Sequence, residues 1–104
     1  MDTKTYNLVI VGYGGMGSYH AKLLKENENI NVTGTFDILE ERRAASLADG
    51  YQAYESLSDV LSDDDVDFVL IATPNDVHKE IAIAALQAKK HVVCENRLPS
   101  TAKS

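Results

Sequence analysis

The residues best suited to chemistry lie near the N-terminus. Gly12-Tyr13-Gly14-Gly15-Met16-Gly17 spells G-x-G-x-x-G directly after an apolar run, Tyr6 to Val11. Each glycine answers a separate need. Gly12 permits a tight turn, Gly14 removes the Cβ that would hold a diphosphate off the backbone, and Gly17 lets the next helix sit close to the sheet. The start of that helix offers unpaired N–H groups and a partial positive charge, which favour an anion. Asp37 follows about twenty residues after the last glycine, at the end of the second strand-like run. A carboxylate there accepts hydrogen bonds from an adenosine ribose and repels a 2′-phosphate, so NAD is expected over NADP. Arg42 and Arg43 come soon after. They read as solvated helix charges, though either could curl back to a phosphate.

A second group is Ala72-Thr73-Pro74-Asn75, which closes the most apolar run of the chain. Its backbone and the Thr73 and Asn75 side chains can face a cofactor, and Asn75 can also cap the helix that follows. His78 falls in the first turn of that helix and reads as structural before catalytic. His20 is expected to pack its helix against the sheet. It has no cysteine or carboxylate at ligand spacing, so no metal site is expected. Asp63-Asp64-Asp65-Val66-Asp67 fails the calcium-loop pattern, because Phe68 and Pro74 stand where glycine and glutamate are required. It reads as a solvated turn.

The elements that must position these groups alternate. Tyr6 to Val11 is a continuous apolar, β-branched run, the mark of a strand buried on both faces. A helical stripe follows through Met16, His20, Leu23 and Leu24. Ile30 to Phe36 reads as a second strand, weakened at Gly34. Glu40 to Ala48 reads as a helix with Ala44, Ala45, Leu47 and Ala48 facing inward or nearly so, and Gly50 provides a left-handed end. Tyr51 to Tyr54 is a short third strand. Ser56-Leu57-Ser58-Asp59 is a capping box opening a short helix, with Leu57, Val60 and Leu61 apolar. Val66 to Ala72 is a fourth strand. The next helix carries Val77, Ile81, Ala84, Ala85 and Ala88. His91 to Glu95 is a fifth strand, and Cys94 on it reads as a small core residue. Strict alternation implies an α/β, three-layer, Rossmann-like fold with five parallel strands in order 3-2-1-4-5 and helices on both faces. The binding crevice then lies at the carboxyl ends of strands one and four.

The chain has 104 residues, a net charge of −6, 44% apolar and 25% charged residues. This is the composition of one globular domain. The acidic balance excludes a general nucleic-acid binder. No apolar run approaches the roughly 20 residues of a membrane helix. A single cysteine excludes an internal disulfide and a cysteine zinc site. No secretion signal is expected, and a cytoplasmic location fits.

Together these pieces resemble the nucleotide-binding half of the Gfo/Idh/MocA family of oxidoreductases. The resemblance is carried by Val9 to Gly17 with His20, by Asp37, by Val66 to Asn75 with His78, and by His91-Val92-Val93-Cys94-Glu95. It implies a Rossmann domain followed in the family by a larger α+β substrate domain. It further implies hydride transfer between NAD(P) and a hydroxyl or carbonyl carbon, commonly of a sugar or polyol. The cofactor-binding positions so implied are Gly12, Tyr13, Gly14, Gly15, Met16, Gly17, Asp37, Thr73, Pro74, Asn75, His78 and Glu95, with Glu95 reaching the nicotinamide ribose. The family continues Glu-Lys-Pro, and its lysine supports proton transfer. Here Asn96 stands at the lysine position, so no catalytic residue is expected. Losing such an acid–base group costs roughly 10²–10⁴ in rate, and Arg97, one position on, does not release its proton.

The segment after Glu95 changes character. The expectation is therefore a dinucleotide-binding domain over 1–95, a divergent tail over 96–104 and no substrate domain, as in a truncated chain. Such a chain binds nucleotide without turnover. The alternative is a non-enzymatic nucleotide-binding or self-associating module, because the fifth strand would present an apolar edge.

Overall fold

Strand β1 (Tyr6–Val11) is central and buried from Leu8 onward. In this computed structural model, which describes residues 5–73 and 75–94, β1 pairs in parallel with β2 (Ile30–Phe36) on one side and β4 (Phe68–Ile71) on the other. Outside these lie β3 (Gln52–Tyr54) and β5 (His91–Cys94), giving the order β3-β2-β1-β4-β5. The helices are α1 (Gly15–Leu24), α2 (Glu40–Ala48), α3 (Leu57–Ser62) and α4 (Asn75–Gln87). The expected topology is therefore the observed one. The third and fourth strands are shorter than the apolar runs that announced them.

Alternation along β1 divides the core. Val9 and Val11 join Val60, Val69, Ile71 and Ala85 in one cluster, while Leu8 and Ile10 join Tyr13, Ala21 and Leu70 in the other. Both faces of the strand are thus covered, as a parallel sheet requires. Gly34 is needed where it stands: a Cβ would lie 2.6 Å from the Tyr54 ring. The β1–β2 register slips here, with Leu8 opposite Val32 and Val9 opposite Gly34, leaving Thr33 as the extra residue.

Two helix faces differ from expectation. On α1 the buried residue is Ala21, and Leu23 is 54% exposed. The cause is Gly17, whose absent Cβ would stand 1.9 Å from the Gly12 carbonyl oxygen. Contact at Gly17 turns Ala21 and Leu24 to the sheet and leaves Leu23 of the expected stripe outward. On α2 the expected inward residues Ala44, Ala45, Leu47 and Ala48 are exposed, and Ser46 is buried instead. Its hydroxyl lies 2.6 Å from that of Thr35, itself fully buried on β2. A buried hydroxyl requires a partner, and this requirement overrides the apolar periodicity of a short helix.

Other local expectations hold. The Ser56 hydroxyl accepts from the Asp59 N–H at 3.0 Å, capping α3. Gly50 is left-handed at φ +96°. Lys89 takes the same conformation after α4, at φ 66°, while the Lys90 N–H donates back to the Ala85 carbonyl. Among the described residues no helix is long and apolar enough to cross a membrane.

Candidate functional site

The winding reverses at β1, so its carboxyl end and that of β4 border a crevice. The Gly12 N–H donates to the Phe36 carbonyl at 2.7 Å, and the Ala72 N–H donates to that of Val11 at 2.9 Å. These bonds fix the base of the glycine turn. Gly12 is left-handed at φ +100°, and a Cβ on it would lie 2.9 Å from the Thr73 methyl. Gly14 is extended at the N-cap of α1, and among the described residues no side chain caps that helix start. Its first N–H groups are therefore open to an anion. Met16 lies in the first turn of α1, and Asn75 and His78 in the first turn of α4.

Asp37 follows β2 and is only 5% exposed. Its Oδ2 accepts from the Tyr13 N–H at 2.8 Å, and its Oδ1 from the Leu39 N–H at 2.9 Å. Each oxygen keeps a further lone pair for a hydroxyl donor. The two arginines are more than solvated charges. Arg43 Nη1 donates to the Asp37 carbonyl at 2.7 Å, and Arg42 Nη1 stands 3.6 Å from Asp37 Oδ2. The Arg42 guanidinium also rests over Gly14, 3.0 Å from where a Cβ would be. This contact was legible only as proximity in sequence to Asp37.

Thr73 supplies an unusual group. Its Oγ1 is buried and has no hydrogen-bond partner among the described residues. Buried hydroxyls are normally satisfied, so an orphan beside the glycine turn marks a place for a ligand atom or water. The glycines, the near-buried carboxylate and this orphan hydroxyl together fit a dinucleotide.

The Tyr13 side chain points elsewhere. It is buried in the core cluster with Leu8, Ile10, Ala21 and Leu70, its ring meets Tyr51 edge-on, and its hydroxyl donates to Asp49 at 2.5 Å. Only its backbone belongs to the turn. Burial first, and then the bond to Asp49, push the phenol well above its usual value. Nothing in the sequence ties Asp49 to this loop. His20 is half-buried, its ring 5.9 Å from that of Tyr19. Asp64 and Asp65 are exposed, whereas Asp63 accepts from the Tyr54 hydroxyl at 2.7 Å. Among the described residues no group of three or more histidine, cysteine, aspartate or glutamate side chains could hold a metal. Pro74, Glu95 and Asn96 lie outside the described residues.

Comparison with known proteins matches residues 6–102 to an oxidoreductase family with a NAD-binding Rossmann fold. The inositol 2-dehydrogenase of Salmonella typhimurium is 38% identical over 98 residues, which are 89% of this chain and 29% of that protein. A NAD-binding protein from Listeria innocua superposes with a TM-score of 0.85 at 62% identity, over 88% of this chain and 27% of that one. GenD2 of gentamicin A biosynthesis, solved in complex with NAD, superposes with a TM-score of 0.83 at 29% identity, over 89% of this chain and 27% of its own. The chain thus spans 29% of the length of the Salmonella protein.

Proposed function

This chain belongs to the Gfo/Idh/MocA oxidoreductase family as its NAD-binding Rossmann domain, and on that premise we propose that it binds NAD in preference to NADP in the crevice between β1 and β4. The supporting observation is Asp37: nearly buried, held by two backbone N–H groups, with lone pairs left for the adenosine ribose. The turn from Gly12 to Gly17, with Gly15 and Met16 opening α1, holds the diphosphate. Thr73, Pro74, Asn75 and His78 serve the nicotinamide half, and Glu95 its ribose. When bound, the nicotinamide supplies hydride transfer to or from a carbon bearing oxygen. In the whole family this acts on sugar- or polyol-like substrates. This chain orients the cofactor. With asparagine rather than lysine at position 96, this chain is read as binding nucleotide without turnover by itself. Residues 1–95 form the binding unit and 96–104 a tail.

A second cofactor reading has its own support. Arg42 stands beside Asp37 and over Gly14, where a guanidinium could meet a 2′-phosphate. Titration calorimetry of the chain with NADH and NADPH separates the two. NADH is expected to bind more tightly, and Asp37→Ser to cost NADH at least about tenfold. Tighter NADPH binding overturns the preference, and no binding of either overturns the reading.

The finer partner reading is self-association. Strand β5 ends the sheet, and Val93 on it is 41% exposed. An open, apolar edge pairs with another copy. Sedimentation at rising concentration should show dimers or larger species; a monomer throughout counts against it. The compartment that fits is the cytoplasm.

A further inference from the structure

We propose that Asp49, at the far end of α2, is a positioning residue of the nucleotide site, acting through Tyr13 on Asp37. The inference rests on the binding reading above. The turn has glycine on both sides of Tyr13: Gly12 is left-handed, and Gly14 is extended at φ −88°, ψ −155°. Glycine limits its own backbone less than any other residue, so beyond the hydrogen-bonded base at Gly12 the turn is held by Tyr13. Its side chain is held at the ring by the Leu8, Ile10, Ala21 and Leu70 cluster and by Tyr51, and at its tip by Asp49. Its backbone N–H points the other way and holds Asp37 Oδ2 at 2.8 Å.

The bond to Asp49 spans 36 residues of sequence. Asp49 is the C-cap of α2, and its backbone N–H bonds back to the last turn, so its position is fixed by the helix. The other end of α2 meets the same residue, Asp37, twice, Arg42 at its carboxylate and Arg43 at its backbone carbonyl. The helix therefore spans the site: arginines at its start meet the carboxylate and the carbonyl of Asp37, and Asp49 at its end holds the side chain of the residue whose N–H bonds Asp37 Oδ2. Without the Asp49 contact the turn loses its only tip anchor among the described residues, and Asp37 Oδ2 loses a fixed donor. The ribose-reading carboxylate then samples other directions. Both the affinity for NAD and the rejection of a 2′-phosphate fall.

The test uses the full chain with Asp49→Ala, Asp49→Asn, Tyr13→Phe and the double change Asp49→Ala with Tyr13→Phe. Two quantities are read: the ratio of NADH to NADPH affinity, and the hydrogen-exchange rate of the Tyr13 amide without nucleotide. Asp49→Ala and Tyr13→Phe should each lower the ratio by about tenfold. The double change should add nothing, since both remove one interaction. Asp49→Asn keeps an acceptor oxygen and should retain most of the ratio. Tyr13 amide exchange should quicken in the Ala and Phe variants, while core amides of β1 stay protected. A general loss of structure would instead weaken both nucleotides alike and quicken exchange throughout, which overturns the proposal. So does an unchanged Tyr13 amide. Failure of the parent chain to bind either nucleotide sinks the binding reading alone, because the exchange rates still decide whether Asp49 fixes the turn.

Discussion

Helices α4 and α2 are fastened to one sheet by opposite means. α4 presses Ala85, fully buried, into the core with Ile81 and Ala82 beside it, against Val69 and Ile71. α2 buries Ser46, and among the described residues its side-chain ties, with its cap Asp49, are polar: to Thr35, to both the carboxylate and carbonyl of Asp37, and to the Tyr13 phenol. One of those partners, Asp37, belongs to the nucleotide crevice, and Tyr13 joins it through its backbone N–H. The apolar contact of α4 at Ala85 lies beyond the first turn, which carries Asn75 and His78, and it contributes stability through the core. The polar helix is held by groups the ligand also needs, so binding and local stability are linked on its side.

The largest effect that can test this division is expected on α4. Ala85→Glu places a charge among Val69, Ile71 and their neighbours with nothing to pair it, and should cost about 3 kcal/mol or more. For a domain of this size that lowers the thermal midpoint by more than roughly ten degrees. A variant that melts near the parent would mean that α4 is not docked as described.

On α2 the corresponding weak point is polar. Ser46→Ala leaves the Thr35 hydroxyl buried beside an empty place, at a cost of about 1–3 kcal/mol. Adding Thr35→Val removes the orphan and should recover much of that loss, since a matched apolar pair needs no partner. Urea unfolding of the two single variants and the double gives the coupling directly. Independent, additive losses would show that α2 relies on apolar contact after all.

The contrast also explains what could be read in advance. Strand order, the glycine turn and Asp37 were legible because each follows from local pattern: a buried strand is a continuous apolar run, and the turn must be glycine for steric reasons that hold in any such fold. Part of the docking face of α4, Ile81 and Ala85, was legible for the same reason, while Ala82 was not. The α2 face was not. Its apolar residues Ala44, Ala45, Leu47 and Ala48 suggested a stripe, yet the buried partner on β2 is the hydroxyl of Thr35, which selects Ser46. Apolar periodicity carries no information about a polar contact between distant residues. Asp49 is the extreme case, because its role depends on a phenol on another element. Arg42 and Arg43 read as solvated charges or as a reach toward a phosphate, and their contacts with Asp37 itself were set by side-chain direction.

A smaller, stabilising change is expected at the end of α4. Lys89 is left-handed at φ 66°. A side chain there costs about 1 kcal/mol relative to glycine, which adopts this conformation freely. Lys89→Gly should therefore raise stability by roughly 0.5–1 kcal/mol, with the NADH-to-NADPH ratio unmoved. A shift in that ratio would break the proposed separation between the two helices.

The smallest effect concerns pH and the tie beyond α4. Lys90 Nζ donates to the Asp63 carbonyl at 2.7 Å, and the Asp63 carboxylate accepts from the Tyr54 hydroxyl at 2.7 Å and the Asp65 N–H at 3.0 Å. The Tyr54 bond first, and then the Asp65 N–H, hold the Asp63 carboxyl below its usual value, with the Lys90 charge adding a little. A carboxyl lowered by folding stabilises the fold above its unfolded value of about 3.9, and this contribution is lost as pH falls through the folded value. The Tyr54 phenol moves the other way: burial, then the bond to Asp63, push it upward. Its contribution is present below the unfolded value of about 10 and is lost as pH rises through the raised folded one. Asp63→Asn should flatten the acid limb of a stability–pH profile below about pH 4. Tyr54→Phe should flatten both limbs, because it removes the bond that shifts each group. Neither change touches α2, so the ratio of NADH to NADPH affinity near neutral pH should stay at the parent value. Movement of that ratio in Tyr54→Phe would show that the apolar side of the molecule also reads the nucleotide.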